Sequence, residues 1–171
     1  MARAITEEEK QSALELLGRA RAAMKAIEHY DQAAVDRLSR AIGWATANEP
    51  TFVALTRMGV EESGMGNMDG GPARRFKIVG ILRDALRQKS VGIIEEIPER
   101  GIVKYAKPAG VIAGVLPVTN PVVTMVCMAI NAVKCRDAVI FSPHPMSRRT
   151  ALETVRILRA ALNPVVSWGG D

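Results

Sequence analysis

The chain has 171 residues, of which 48% are apolar and 24% charged, with a net charge of +5. That length supports one globular domain with a real core, and with aromatics at only 4% the core must be built from Leu, Ile, Val, Ala and Met. The positive charge does not make a nucleic-acid surface, because the basic residues are spread over several helical patterns and never interleave with aromatics; no stretch reaches the ~20 apolar residues of a membrane span.

The N-terminal Met-Ala-Arg-Ala-Ile-Thr-Glu-Glu-Glu has no apolar signal core, so a reducing cytoplasm is the expected setting. Thr6 and Glu9 form a capping-box pattern. Behind them Ala13, Leu16, Leu17, Ala20, Met24 and Ile27 recur at helical spacing. Asp31 can cap a second helix whose apolar stripe is Val35, Leu38, Ile42 and Ala45. Glu49-Pro50 interrupts the pattern. A third helix carries Phe52, Leu55 and Met58, and Gly64 is a left-handed stop. Glu61 and Glu62, at its end, read as a solvated face.

Residues 64–72 are rich in Gly and Met and read as a loop. A fourth helix is expected over 73–89, with Ile78, Ile81, Leu82 and Ala85 as its buried face. Then the period changes. Residues 91–97 and 101–106 read as two strands joined by Pro98-Glu99-Arg100, a hairpin. Two strand-turn-helix units follow, Lys107 to Pro121 and Asp137 to Pro145, each continuing into a helix. Val165, Val166 and Trp168 are expected to open one more strand. Helices, a hairpin, then alternating strand and helix favour an α/β sheet with right-handed crossovers over a helical bundle.

Asn120 sits at the carboxyl end of the first of these strands, where open α/β sheets bind ligands. A side-chain amide there could donate to a developing oxyanion. Asn before Pro is also a standard N-cap with Pro at the first helical position, and local pattern alone favours the cap. The turn Pro117-Val118-Thr119 can approach a ligand, and the Thr119 hydroxyl either bonds to it or serves an ordinary turn. Gly110 and Gly114 lie within the strand, where they allow close packing and do not make a phosphate loop. His144 is held at the sheet edge between Pro143 and Pro145. Its ring could contact a ribose or a phosphate, with Ser142 assisting, or it is a surface turn residue. Ser147-Arg148-Arg149 opens the next helix, where backbone amides favour anions; the arginines read as solvated. Cys127 and Cys135 have neither a CxxC partner nor a nearby histidine pair, so no disulfide or metal site is expected. Cys127 lies in the apolar run Met125 to Ile130 and reads as a small core residue with a raised pKa.

Several segments, in order, resemble the acylating, coenzyme A-dependent aldehyde dehydrogenases. They are Arg57-Met-Gly-Val-Glu-Glu-Ser-Gly-Met-Gly66, Lys107-Pro-Ala-Gly-Val-Ile, Thr119-Asn-Pro121, Asn131 to Phe141, and Phe141-Ser-Pro-His-Pro145. Arg83-Asp-Ala-Leu-Arg-Gln-Lys-Ser-Val-Gly resembles the sulfoacetaldehyde dehydrogenase relatives in particular. The resemblance implies an aldehyde dehydrogenase-like α/β fold: a helical lead-in and hairpin, then the first strands of a Rossmann-like parallel sheet, incomplete. Residues 1–90 would be the helical N-terminal segment of the cofactor domain, 91–106 an oligomerisation hairpin, and 107–171 the first βα units of the NAD-binding domain.

In the family an aldehyde held as a thiohemiacetal on a cysteine is oxidised by NAD, and coenzyme A takes the acyl group. The resemblance implies NAD or NADP as cofactor, coenzyme A as co-substrate, a small aldehyde as substrate, and a homo-oligomer or a missing C-terminal portion as partner. Asn120 would stabilise the oxyanion. Pro117, Val118 and Thr119 would line the nicotinamide side, and Ser142, Pro143 and His144 would sit near the adenosine. The family's nucleophilic cysteine lies in a later domain and is absent here. The chain is therefore expected to be a fragment, a truncated product or one half of a split enzyme, inactive alone. The alternative is an inactive dinucleotide-binding or regulatory homologue. Asn67-Met-Asp-Gly-Gly-Pro departs from the family's acidic-lysine pair.

Overall fold

A computed structural model describes residues 3–166. Helix α1 (Glu7–Ala26) begins with the expected capping box: the Thr6 hydroxyl accepts from the Glu9 amide at 3.2 Å, and the Glu9 carboxylate accepts from the Thr6 amide at 2.9 Å. Its apolar stripe is not core. Only Ala20 is buried within it, and Leu14 and Leu16 are exposed.

Helix α2 (Gln32–Ala47) starts where Asp31 accepts from the Ala34 amide at 2.7 Å. Val35, Leu38 and Ile42 are buried as expected. The stripe then turns toward Thr46 and Ala47, leaving Ala45 half-buried. The cause is that α2 meets several partners, chiefly α4 (Arg75–Leu86), α5 (Pro121–Lys134) and α6 (Arg148–Val166), so its covered side is wider than one stripe. Ser39 and Thr46, buried within it, return their hydroxyls to the carbonyls of Val35 and Ile42, both at 2.8 Å.

Helix α3 (Glu49–Ser63) is capped by Asn48, carries Pro50 in its first turn and stops at Gly64, whose φ is 67°. A single 3-10 turn, Pro72–Arg74, leads into α4. Helix α4 ends three residues short of the expected end, at Leu86. Ile78 is buried and Leu82 and Ala85 are half-buried, but Ile81 is exposed. Helix α4 rests on α2 and α5 through a narrow side only. That side is set by close approach, since a Cβ at Gly43 would lie 2.6 Å from Leu82.

Strands β1 (Gly92–Ile97) and β2 (Ile102–Ala106) form the expected antiparallel hairpin, turned by Gly101 at φ 61°. The ribbon stands clear of the core, with Ile93, Ile94, Ile102, Val103 and Tyr105 exposed. Strands β3 (Val111–Val115) and β4 (Ala138–Ser142) pair in parallel, Val111 opposite Ala138 through Val115 opposite Ser142, with α5 as the crossover. Gly114 sits where a Cβ would come 2.9 Å from Phe141 and 3.0 Å from Met128, so the close-packing reading of this glycine holds. After β4 a 3-10 turn, Pro145–Ser147, opens α6. The strand expected at Val165 and Val166 is not formed. The helical period through Leu158 and Leu162 carries α6 on to Val166, and Trp168 lies outside the described residues.

Helix α5 is the buried spine, with Met125, Val126 and Ile130 fully covered between α2, α4 and α6. Its far end holds the one deeply buried ion pair among the described residues. Lys134, 3% exposed, bonds Asp36 of α2, which also accepts from Gln32 at 2.9 Å. The Lys134 carbonyl accepts from the Ser90 hydroxyl at 2.6 Å, and Gln32 accepts from the Ser90 amide at 2.8 Å. One network thus ties α2, α5 and the chain entering β1. Asp36→Ala would strand the lysine charge and should cost about 3–5 kcal/mol. Adding Lys134→Met should recover most of that loss. Urea unfolding followed by circular dichroism measures both; a single mutant as stable as wild type would contradict the role of the pair.

Candidate active-site cleft

The parallel pairing carries both expected turns to one sheet edge. The Leu116 amide donates to the Ser142 carbonyl at 2.9 Å, extending the ladder past β3. The chain then turns through Pro117, Val118 and Thr119 into α5, and beyond β4 through Pro143 and His144 into α6.

Asn120 occupies the N-cap position of α5: its carbonyl accepts from the Thr124 amide at 3.2 Å. Its side chain does not cap. With φ −153° and ψ 53° it makes no hydrogen bond among the described residues. The two roles open in the sequence therefore separate, the backbone taking the cap position and the amide side chain remaining available. Asn120 lines a small cleft of about 50 Å³ together with Val118, Thr119 and the α3 residues Phe52, Leu55 and Ser63. Pro117, Ser142, Pro143 and His144 are not in its walls. They lie beside it on the same sheet edge.

The far wall of the cleft is the loop after α3. Gly71 is buried, and a Cβ there would come 2.7 Å from both the Asn67 carbonyl and Thr56. Only glycine lets the loop close this tightly on α3. The closure brings Arg74 across to the first turn, where its guanidinium donates to the Thr119 carbonyl at 3.2 Å. Gly71 and Arg74 were not legible as site residues, because nothing local in the sequence says that this loop folds back onto residue 119.

His144 Nδ1 accepts from the Met146 amide at 3.2 Å. In the neutral ring that leaves Nε2 carrying the proton, exposed and able to donate outward. The His144 carbonyl accepts from the amide and hydroxyl of Ser147, at 2.9 and 3.2 Å. The turn is thus held at three points.

Two expectations need correction. The N-terminus of α6 already has its anion: Glu62 accepts from the amides of Arg149 and Thr150 at 2.7 and 2.8 Å, and from the Thr150 hydroxyl at 2.7 Å. Glu62 is thus a tertiary helix cap and not a solvated side chain. The motif Glu61-Glu62-Ser63 could not reveal this, since its partners lie 87 and 88 residues away. Burial works against the Glu62 charge, but the bonds from Thr150 and Arg149 outweigh it and hold the carboxyl below its usual range. The Cys127 thiol, by contrast, is raised as expected, although the residue is only partly buried. Burial pushes Cys127 up against the opposing effect of Lys77, and burial and then Asp137 raise Cys135. Neither lines the cleft. Among the described residues no His, Cys, Asp and Glu side chains converge as metal ligands, and no helix is long and apolar enough to cross a membrane.

No family model matches the chain. It is 40% identical over 153 residues to the sulfoacetaldehyde dehydrogenase of an Acholeplasma species, covering 89% of this chain and 32% of that protein. It is 39% identical over 147 residues to the acylating sulfoacetaldehyde dehydrogenase of Bilophila wadsworthia, covering 85% and 32%. It is 38% identical over 149 residues to the acetylating succinate-semialdehyde dehydrogenase of Clostridium kluyveri, covering 86% and 32%. The structure superposes on an acetylating aldehyde dehydrogenase from Geobacillus thermoglucosidasius with a TM-score of 0.86, at 32% identity, over 96% of this chain and 36% of that one.

The chain is thus homologous to proteins named as acylating aldehyde dehydrogenases. Its α/β fold matches the N-terminal domain of their structures. It spans about a third of the length of these relatives. Two further structures share the fold at 28% identity over 87% of this chain. One is an engineered glycolyl-CoA reductase with bound NADP+, covered over 33% with a TM-score of 0.65. The other is the Rhodopseudomonas palustris propionaldehyde dehydrogenase with bound propionyl-CoA, covered over 32% with a TM-score of 0.66.

The Glu62 cap makes a pH prediction. A carboxylate with a lowered folded pKa adds stability above its unfolded value, ~4.3, and loses it as pH falls through the folded value. Glu62→Gln should therefore cost about 1–2 kcal/mol near neutrality, in the range of a lost helix cap. The gap to wild type should close below the unfolded value. Urea midpoints measured across pH test this, and a gap that stays constant into acid would contradict the charge-based cap.

Proposed function

We propose that this chain is the cofactor-side portion of an NAD- or NADP-dependent acylating aldehyde dehydrogenase, a cytoplasmic enzyme converting a small aldehyde and coenzyme A to an acyl-CoA. The observation that carries the reading is Asn120, an N-cap residue whose side chain makes no capping bond and which lines a cleft at the carboxyl edge of a parallel strand pair. That is where an oxyanion donor must stand, because it can act only if its N–H groups are not already spent. The homology to proteins of that name, and the bound ligands named for two structures of the same fold, support the same reading.

The nicotinamide cofactor, when bound, supplies the hydride acceptor. The residues present suit it. The outward Nε2–H of His144 and the hydroxyls of Ser142 and Thr119 are donors for ribose and phosphate oxygens, on turns fixed by Pro117, Pro143 and Pro145. In this scheme Thr119 and Val118 position the nicotinamide side, Ser142, Pro143 and His144 the adenosine side, and the Asn120 amide stabilises negative charge developing on the aldehyde oxygen. The attacking thiolate is not among these residues, since both thiols are raised in pKa and lie outside the cleft. The exposed β1–β2 ribbon is the proposed contact between copies of the chain.

Titration calorimetry of folded chain with NAD should give weak binding, and His144→Ala should weaken it by up to about tenfold, one net hydrogen bond. No heat from a demonstrably folded sample would overturn the cofactor role. The chain alone should give no reduced cofactor with aldehyde and coenzyme A. If a cysteine-bearing polypeptide restores turnover, Asn120→Ala should lower kcat by about 10²–10³. Light scattering should show self-association that Ile93→Lys or Val103→Lys reduces; a monomer at high concentration would contradict the ribbon contact.

A further inference from the structure

The cleft holding Asn120 contains one ionisable side chain, Arg74. Its surroundings make that unusual. The other cleft residues are apolar or neutral, and no Asp or Glu lines the walls. Arg74 makes one hydrogen bond, to the Thr119 carbonyl, and no ion pair among the described residues. Its neighbour Arg75 is engaged, paired with Glu49 at 3.2 Å and stacked on Phe76 at 4.4 Å. A guanidinium carries five N–H donors in a planar fork. With one spent on Thr119, a face of the fork remains for a ligand.

The position is built and not incidental. The Gly71 closure and the 3-10 turn Pro72–Arg74 deliver the side chain across 45 residues of sequence to the turn that ends in Asn120. Arg74 is exposed and lines the cleft, so it stands at the mouth. Arg74 lines the same cleft as Asn120 and bonds the residue before it, so an aldehyde bound there with its oxygen at Asn120 would have this guanidinium within reach of its far end. A neutral alkyl tail gains nothing there. A tail ending in a sulfonate or carboxylate would meet an unpaired planar cation that matches its oxygens two at a time. Three relatives fit this chemistry, being named for sulfoacetaldehyde or succinate semialdehyde, both short aldehydes with a terminal anion.

We propose that Arg74 is the specificity residue of the site, and that it selects a short aldehyde bearing a terminal sulfonate or carboxylate. This deepens the reading of the cleft as the aldehyde site and rests on it. A phosphate of coenzyme A or of the dinucleotide would offer the same oxygen chemistry, so the test must separate the two sources.

The experiment is an amide and arginine side-chain NMR titration of the isotopically labelled chain. The probes are isethionate and 4-hydroxybutyrate, alcohols that keep the anionic tail and cannot react. The comparisons are 1-propanol, inorganic phosphate, coenzyme A and NAD. Both anionic alcohols should give saturable shifts at Arg74 and Asn120, and 1-propanol should not. Arg74→Gln should weaken the anionic alcohols by about tenfold or more, a lost charged hydrogen bond, and weaken NAD far less. Arg74→Lys should fall between. No saturable shift at Arg74, or equal affinity in Arg74→Gln, would overturn the proposal. So would phosphate or coenzyme A shifting Arg74 more tightly than either anionic alcohol. Anionic alcohols binding at Arg74 and Asn120 while NAD does not bind would support the subsite and sink the cofactor role. The converse would sink the subsite alone.

Discussion

The site depends on one constraint, the parallel pairing of β3 with β4. Their side-by-side register places Val115 opposite Ser142, so the chain leaves both strands at the same level. Two turns that are more than twenty residues apart in sequence become neighbours for that reason alone. The pairing in turn needs Gly114, because a Cβ there would strike Phe141 and Met128. At the other end Asp137 accepts from the Gly110 amide at 2.8 Å, which fixes where β3 begins relative to β4. A glycine at the packing point and a carboxylate at the entry hold the register from both ends.

Helix α3 does two jobs. Its apolar side forms the back of the cleft with Phe52 and Leu55, and its Glu62 reaches over to cap α6. The cap couples the cleft to the second turn, since α6 begins directly after the His144 turn. Burial of the carboxylate is unfavourable, and three short hydrogen bonds more than offset it. The loop after Gly64 then folds back on the same helix, made possible at Gly71. The cleft is therefore shaped from the helical lead-in as much as from the strand pair.

Local signals carried most of the secondary structure. Thr6, Asp31 and Gly64 marked ends that are set by the residue itself, through a side-chain oxygen or a left-handed backbone, and the structure has each of them there. Signals that depend on a partner failed. The stripe of α1 reads as core by period, yet mostly Ala20 is covered, because period says which side is apolar and not whether anything packs on it. Ile81 failed for the same reason. The backbone of Asn120 follows its dipeptide with Pro121, while the orientation of its amide could be settled only in three dimensions. Glu62 and Arg74 were invisible as site residues, since each acts on a group more than forty positions away.

The proposed function requires the two turns at the ends of β3 and β4 to form one ligand-binding edge. Amide hydrogen exchange with and without saturating NAD measures it directly. The account predicts slowed exchange in residues 118–120 and 144–147 together, with the ribbon at 92–106 unchanged. Protection confined to one turn, or appearing elsewhere while both turns stay as they were, would contradict it.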